Sequence, residues 1–328
     1  MKRREALEAK DAKRQTRTLH SWDYLIGVQD ATRQGALRFR HEGSTEFLAA
    51  HRLPAPPVAS LRELEAVARE ITNKHITDLD ALRRWLSVLV APGASLGGAR
   101  PKANFTDNDG SLWIAKFPAR DDDRDIGAWE AVLHTLALTA NVIMPPARVL
   151  RFGSQYHTFC VQRFDRSGHN RVFYTSAMTM LKKQQSEGAS YLDIAQFLHN
   201  NGAGRTLHSD LEQLFRRVVF NIAVSNRDDH LRNHGFLLGS DGWRLSPAFD
   251  VNPNIDKAEH VLNIDESDNR PNLDAALSTA AWYGLDTGQA GMVVEEILSV
   301  VGKWKSVARK TGISNAEVEL MSSAFQTK

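Results

Sequence analysis

The chain has 328 residues, 42% hydrophobic and 24% charged, which is apolar material for about two cored domains and excludes wholesale disorder. A net charge of +2 gives no broad basic field, so direct nucleic-acid binding is not expected from charge. No stretch reaches the roughly 20 apolar residues of a membrane span, the N-terminus lacks a signal-peptide core, and a single cysteine, Cys160, fits a reducing compartment; no membrane association is expected, and the expected location is cytoplasmic.

Residues 1–20 carry seven Lys or Arg against three Asp or Glu and read as a solvated, frayed amphipathic terminus. Pro54, Pro56 and Pro57 exclude a helix and mark a linker. The spacing predicts a helix from Ser60, with Glu63 at the capping-box position and Leu61, Leu64, Val67, Ala68 and Ile71 on one face. A second helix is predicted from about Asp78 to Val90. Small residues dominate Ala91 to Lys102, Asn108-Asp109-Gly110 is a turn, and Ser111 to Phe117 is a strand. A helix follows over about 125–140, then strands over 147–152, 157–164 and 171–175. Cys160, between Phe159 and Val161, reads as a buried small hydrophobe. Ser209 and Glu212 predict the cap of a helix reaching about Val224. Gly235–Leu238 and Trp243–Ser246 flank Gly239-Ser240-Asp241-Gly242 as a hairpin, and Ser314 with Glu317 opens the last helix. The expected fold class is α+β, with a small sheet-bearing lobe before a larger, mainly helical one.

The most informative stretch is Asn226-Arg227-Asp228-Asp229-His230-Leu231-Arg232-Asn233, a loop at a helix end. Protein kinases place a catalytic Asp and a metal-binding Asn five residues apart, with Arg before the Asp. In such a site Asp228 orients a hydroxyl and accepts its proton, and Asn233 reaches a Mg²⁺ that bridges phosphates. An Asp-x4-Asn alone is common in loops. Its weight comes from the hairpin that follows and from Ser246-Pro247-Ala248-Phe249-Asp250, which delivers a second carboxylate 17 residues beyond Asn233. Alone, Asp250 reads equally well as a turn residue before Pro253.

Upstream, Trp113-Ile114-Ala115-Lys116-Phe117 places a lysine inside an apolar strand, where lysine is rare without a partner. A strand-borne lysine that grips ATP phosphates is the kinase use, and an edge-strand lysine that blunts aggregation is the plain alternative. Glu130, on the next helix, is a candidate partner for Lys116 or else a solvated helix-face carboxylate. Ser95 to Lys102 offers small residues whose N–H groups can approach phosphate, but it is neither a Walker loop nor Gly-x-Gly-x-x-Gly. Two other functions compete. Asp228, His230, His234 and Asp250 could be metal ligands of a phosphoesterase, although the Glu of a His-Glu-x-x-His site is absent. A non-catalytic pseudokinase that binds a partner would have no need to keep Lys116, Asp228, Asn233 and Asp250 together.

These pieces resemble the HipA family of bacterial toxin serine/threonine kinases of type II toxin–antitoxin systems. The resemblance spans about residues 20–265. It is carried by Gly35-Ala36-Leu37-Arg38-Phe39, Ser95 to Lys102, Trp113 to Phe117, Val161-Gln162-Arg163-Phe164-Asp165-Arg166, Arg227 to Asn233 and Leu245 to Val251. It implies a two-lobed protein-kinase-like fold: an N-terminal helical segment over 1–90, a nucleotide-binding lobe over 91–165 and a helical catalytic lobe over 166–328. It implies ATP and Mg²⁺ as cofactors and an aminoacyl-tRNA synthetase as the protein substrate, whose phosphorylation stalls translation. It also implies a helix-turn-helix antitoxin as partner.

By position, the resemblance makes Asp228 the base, puts Asn233 and Asp250 on Mg²⁺, and puts Lys116 on the phosphates. Gly97, Gly98, Ala99, Arg100, Pro101 and Lys102 would cover those phosphates, and Gln162, Arg163 and Phe164 would form the hinge facing adenine. His230 and Arg232 complete the nucleotide-side loop; His230 takes a place where eukaryotic protein kinases usually carry Lys, and Arg232 one where many relatives do. Gln162 stands where many relatives have Glu. Ser95 falls where these kinases carry an autophosphorylated serine, and a phosphate there would add a charge of about −1.5 to −2 beside donors meant for ATP. Longer relatives carry roughly one more small domain at the N-terminus. A separate small protein supplying that subdomain is therefore a further expected partner.

Overall fold

The computed structural model describes residues 2–50, 55–71 and 100–327. They fall into two units, one built from the residues up to Asp123 together with Arg148–Arg171, the other from Arg124–Ala147 together with the residues from Val172 on. The helix expected over Asp78–Val90, and Ser95, Gly97, Gly98 and Ala99, lie outside the described residues.

In the first unit, the basic N-terminus expected as a frayed tail begins as a helix, α1 (Lys2–Asp11), followed by α2 (Ser21–Ile26). Glu5 on α1 accepts from the Arg14 side chain at 2.6 Å and from the Arg17 N–H at 3.0 Å, so one carboxylate gathers the neighbouring cations. The capping pattern at Ser60 is realised as a short 3-10 turn leading into α3 (Leu61–Ile71). A four-stranded sheet follows, made of β1 (Lys102–Thr106), β2 (Leu112–Lys116), β3 (Ala147–Leu150) and β4 (Thr158–Gln162), in the order β1-β2-β4-β3. The β1–β2 turn is the expected one: Gly110 adopts φ +82° and its N–H donates to the Asp107 carbonyl at 3.0 Å.

Strand alternation sorts the side chains of this sheet. Phe105, Trp113, Ala115 and Cys160 bury on one face under Leu61, Leu64 and Ala68 of α3. Burial pushes the Cys160 thiol up to about 12, as suits an inert core residue. Glu65 of α3 is also buried, and its carboxylate accepts from Gly153 N at 3.2 Å, Ser154 N at 3.0 Å and the Thr158 hydroxyl at 2.7 Å. A helix side chain thereby fixes the turn between two strands. Beyond β4, the short pair β5 (Arg166–Ser167) and β6 (Asn170–Arg171) completes the unit. There Asp165 accepts from Arg163 and from the Gly35 N–H at 2.7 Å, while Arg163 also donates to the Thr32 carbonyl at 2.6 Å and to Asn104 at 2.8 Å. The Gly35-Ala36-Leu37 segment is thus held by a buried ion pair.

In the second unit, α4 (Ile126–Thr139) is capped by Asp125, which accepts from Ala128 N at 3.1 Å. Glu317 accepts from Asp125 N at 2.8 Å and from the Trp129 indole at 2.7 Å, joining the two ends of the unit. Then come β7 (Tyr174–Ser176), α5 (Ala177–Met180), α6 (Tyr191–Asn201), α7 (Leu207–Ala223), β8 (Gly235–Leu238), β9 (Trp243–Leu245), α8 (Leu273–Ser278), α9 (Thr287–Val301), α10 (Trp304–Lys310) and α11 (Asn315–Leu320). β7, β8 and β9 form one antiparallel sheet. α7 runs through the core, burying Leu211, Leu214, Phe215, Val218, Val219 and Ile222.

Strands β3 and β4 end earlier than expected, and two further elements depart from the expected bounds. The α7 helix starts at Leu207 behind Thr206, because the Ser209 hydroxyl donates back to the Thr206 carbonyl at 2.9 Å and Glu212 pairs with Arg216 at 2.9 Å instead of closing a box. The strand expected over 171–175 is split between β6 and β7. Among the described residues no helix is long and apolar enough to cross a membrane.

The Arg163–Asp165 pair gives the first prediction. Removing one member of a buried pair strands the other charge and typically costs about 3–5 kcal/mol. Asp165→Ala is expected to lower the urea midpoint accordingly, whereas Arg163→Met with Asp165→Leu recovers at least half of the loss. A loss below about 1 kcal/mol in the single variant would show that the cage does not hold the Gly35 segment.

Candidate active site

The Asn226–Asn233 loop is built on the end of α7. Ser225 turns the chain with a φ of +51°, a left-handed conformation that a non-glycine residue keeps only when its surroundings enforce it. Asn226 N–H then caps the helix on the Asn221 carbonyl at 2.9 Å, and the Asn226 side chain donates to Asn221 Oδ1 at 3.0 Å. The loop's anchor is Asp229, 3% exposed. Its Oδ2 accepts from the Tyr191 hydroxyl at 2.7 Å, Asn221 Nδ2 at 2.8 Å and His234 Nε2 at 2.7 Å. Burial alone would raise the Asp229 pKa, but the His234 ring and these donors more than offset it, and the net shift is downward. Burial and the Asp229 charge together push the Tyr191 phenol well above its usual value. Farther along, Leu231 N–H donates to the buried Ser186 hydroxyl at 3.1 Å and its carbonyl accepts from Met178 N at 3.2 Å.

With Asp229 locked inward, its neighbour Asp228 points outward. The Asp228 side chain is 61% exposed and is paired with Lys257 through Oδ1. Oδ2 accepts no hydrogen bond among the described residues. Asn233 is 9% exposed, and its side-chain amide has no protein partner among the described residues. It lines a small cavity with Asp229, His234, Arg217, Phe249 and Val251, so the residues on both sides of Asp250 border the same space as Asn233.

Asp250 follows the expected hairpin, whose turn is closed by Gly239 N on the Gly242 carbonyl at 2.9 Å. Arg217, buried in α7, donates to the Ser246 carbonyl and so fixes the start of the segment that ends in Asp250; burial pulls its pKa down to about 10. Asp250 itself adopts φ +59°, a second strained non-glycine position. Strain of this kind costs on the order of 1–3 kcal/mol and gathers at functional sites. His230 is half-buried and Arg232 exposed, on the same loop. His234, a candidate metal ligand by sequence, spends Nε2 on Asp229, and among the described residues no group of three or more His, Cys, Asp or Glu is placed to hold a metal.

Lys102, Lys116 and residues 162–164 belong to the first unit. Lys116 was expected inside the strand; it is half-buried, because alternation gives the core face to Trp113, Ala115 and Phe117. β2 lies between β1 and β4, which removes the edge-strand alternative. Lys116 is the cross-strand partner of Lys102, and its Nζ lies 5.8 Å from the centre of the Phe159 ring. Pro101 accepts from Phe117 N at 2.9 Å, and Arg100 pairs with Asp122. In the segment expected as the hinge, Arg163 is spent on the interior cage, while Gln162 and Phe164 are half-buried. Glu130, in the second unit, is buried on α4 and not the solvated carboxylate of the alternative reading.

Sequence reasoning missed Asp229, Tyr191, Asn221, His260 and Lys257. The Asp228-Asp229 doublet was the available signal, since two adjacent carboxylates at a helix end cannot both face the same way. His260, 3% exposed, packs beside the loop, where burial pushes its ring down to about 4 against the pull of Asp229 and with a further push from Arg227. The folded ring stays neutral to about pH 4, while the unfolded chain takes up a proton near 6.5. Stability is therefore complete above about pH 6.5 and falls toward pH 4, by about 3 kcal/mol in all. Urea unfolding from pH 7 to 4.5 is expected to show this slope, and His260→Leu to flatten it; an unchanged slope in the variant would assign the loss to another group.

The sequence profile of the HipA-like C-terminal domain matches residues 94–324. No curated protein sequence matches the chain. Among solved structures, HipA in the Shewanella oneidensis MR-1 toxin–antitoxin complex of HipA, HipB and operator DNA aligns with a TM-score of 0.67 at 16% identity, covering 98% of this chain and 80% of that one. The Helicobacter pylori proinflammatory kinase CtkA aligns more loosely, with a TM-score of 0.49 at 15% identity, over 70% of this chain and 87% of that one. From the profile match and the shared α+β, protein-kinase-like fold, the chain belongs to the HipA-like C-terminal domain family.

Proposed function

We propose that this chain is a serine/threonine protein kinase of the HipA toxin type, transferring the γ-phosphate of ATP to a protein hydroxyl. The observation that carries the reading is the loop itself. One carboxylate, Asp229, is buried and held by three donors on Oδ2, so that its neighbour Asp228 is exposed with one oxygen open, five residues before a buried amide that lacks a protein partner among the described residues. A hydroxyl has a place at Asp228 Oδ2, and that carboxylate is the group to accept its proton. Magnesium is usually held by one or two carboxylates together with substrate phosphates, and Asp250 with the unpartnered Asn233 amide fits that donor set. Bound there, Mg²⁺ would neutralise charge on the phosphates. By the family likeness, Lys116 would be the lysine that holds ATP phosphates. Arg100, Pro101 and Lys102 would continue the phosphate cover begun by Gly97, Gly98 and Ala99.

The family likeness extends the proposal. The target is an aminoacyl-tRNA synthetase, and a helix-turn-helix antitoxin is the partner, as HipB accompanies HipA in the Shewanella complex. Phosphorylation of Ser95 would weaken nucleotide binding by placing like charge beside the phosphate cover.

Asp228→Gln is expected to lower transfer by about 10²–10⁴-fold, the usual worth of a positioned base, with fluorescent-ATP affinity changed less than about threefold. Transfer at the wild-type rate would remove Asp228 from the mechanism. For the target, brief induction of the wild type in its host, compared with Asp228→Gln by phosphoproteomics, is expected to reveal a newly phosphorylated synthetase. Its absence would refute that substrate while leaving the kinase reading to the first test.

A further inference from the structure

The segment after Asp250 is joined to the catalytic loop one residue at a time. Asn254 N donates to the Ser225 carbonyl at 2.9 Å, and Asn252 N to Asn226 Oδ1 at 3.2 Å. Arg227 donates its guanidinium to the Lys257 carbonyl, and the Lys257 ammonium pairs with Asp228 Oδ1. Four consecutive loop residues thus each hold one point of the 252–257 stretch. Within that stretch, Asn254 Oδ1 accepts from Asp256 N at 2.9 Å and Lys257 N at 3.1 Å, and Asp256 pairs with Arg124 at 3.0 Å. Both the N–H and the carbonyl of Lys257 are therefore fixed before its side chain is considered.

An ion pair this exposed, 43% on Lys257 and 61% on Asp228, contributes little to folding. Its placement matters more than its strength. The pair puts a cation on the carboxylate that faces the reacting hydroxyl. Arg227, the neighbouring loop cation, is spent on a carbonyl.

We propose that Lys257 is a catalytic residue of the kinase reaction. It holds Asp228 by Oδ1, leaving Oδ2 for the substrate, and stabilises the charge on the phosphoryl group in transit. The inference rests on the kinase reading above. In the step concerned, the substrate hydroxyl oxygen bonds to the γ-phosphorus while the bond from that phosphorus to the β–γ bridging oxygen breaks. The bond's electron pair leaves with ADP, and the hydroxyl proton passes to Asp228 Oδ2. Charge spread over the transferring oxygens needs fixed cations near the line of attack, and an ammonium on the same carboxylate as the nucleophile meets that need.

The test uses the purified full chain and Mg·ATP, with heat-treated host extract as acceptor, and scores phosphoserine and phosphothreonine in the wild type, Lys257→Met, Lys257→Arg and Asp228→Gln. Lys257→Met is expected to lower kcat by about 10²-fold, the order seen when one preorganised transition-state donor is lost, with KM for ATP within about threefold. Its melting temperature should match the wild type, and Lys257→Arg should regain at least a tenth of the lost rate. A Lys257→Met enzyme as fast as the wild type overturns the proposal and leaves the kinase reading standing. A faster one also overturns it, because the ammonium would then be blocking the base. A rate loss that tracks a lowered melting temperature and is not relieved by Arg overturns it in favour of a structural role. No transfer by the wild type, to extract or to itself, overturns both the kinase reading and this one.

Discussion

Taking a carboxylate out of water costs several kcal/mol unless its oxygens find donors, and Asp229 meets that condition with three of them on one oxygen. Those donors come from three places in the second unit: Tyr191 at the start of α6, Asn221 in α7 and His234 just before β8. The loop cannot shift without stranding the charge, so two helices and a hairpin share one geometric constraint. Its local consequence is directional. With residue 229 committed inward, residue 228 faces solvent, and with His234 drawn to the same carboxylate, Asn233 beside it lines the inner cavity. A conserving view of this site would begin with the buried Asp and treat the exposed one as its result.

Strain and order coincide in the same unit. Ser225 and Asp250 both keep positive φ without being glycine, one at the entry to the loop and one where the second carboxylate is delivered. Each is braced by contacts that a relaxed backbone would lose: Ser225 by the Asn254 N–H on its carbonyl, the approach to Asp250 by Arg217 on the Ser246 carbonyl. Such cost is retained where the strained shape has a use. A flexible loop could present the same side chains, but chemistry needs positions held to a fraction of an ångström.

The first unit solves a parallel problem with arginine. Arg163 and Asp165 form a buried pair whose remaining donors go to the Thr32 carbonyl and to Asn104, so the Gly35 segment and the strand edge are tied through one side chain. The guanidinium fork suits this task because its donors are fixed in one plane. On the sheet, the core face is saturated with aromatic and aliphatic residues from β1, β2, β4 and α3, which leaves Lys102 and Lys116 on the other.

The sequence alone determined the local elements wherever a rule of short range governed them. Asp125 announced a helix start, Asn108-Asp109-Gly110 a turn, Gly239 to Gly242 a hairpin, and the apolar run around Lys116 a strand. It also singled out Asp228, Asn233 and Asp250 as the candidate set, because they stand at spacings set by a loop and a hairpin. What it could not determine was which polar residues turn inward. Asp229 and Asp228 are the same residue type side by side, and only the arrival of Tyr191 and His234 decides between them. Ser209 and Glu212 satisfied a capping rule that the preceding turn overrode. Lys257 lies 29 positions from Asp228, in a stretch with no motif of its own, and only the stitching of residues 252–257 onto the loop brings its ammonium to the carboxylate. Short-range rules act through the backbone and are written in the order of residues; the pairing of buried charges depends on which chains meet, and that is settled only when the tertiary structure closes.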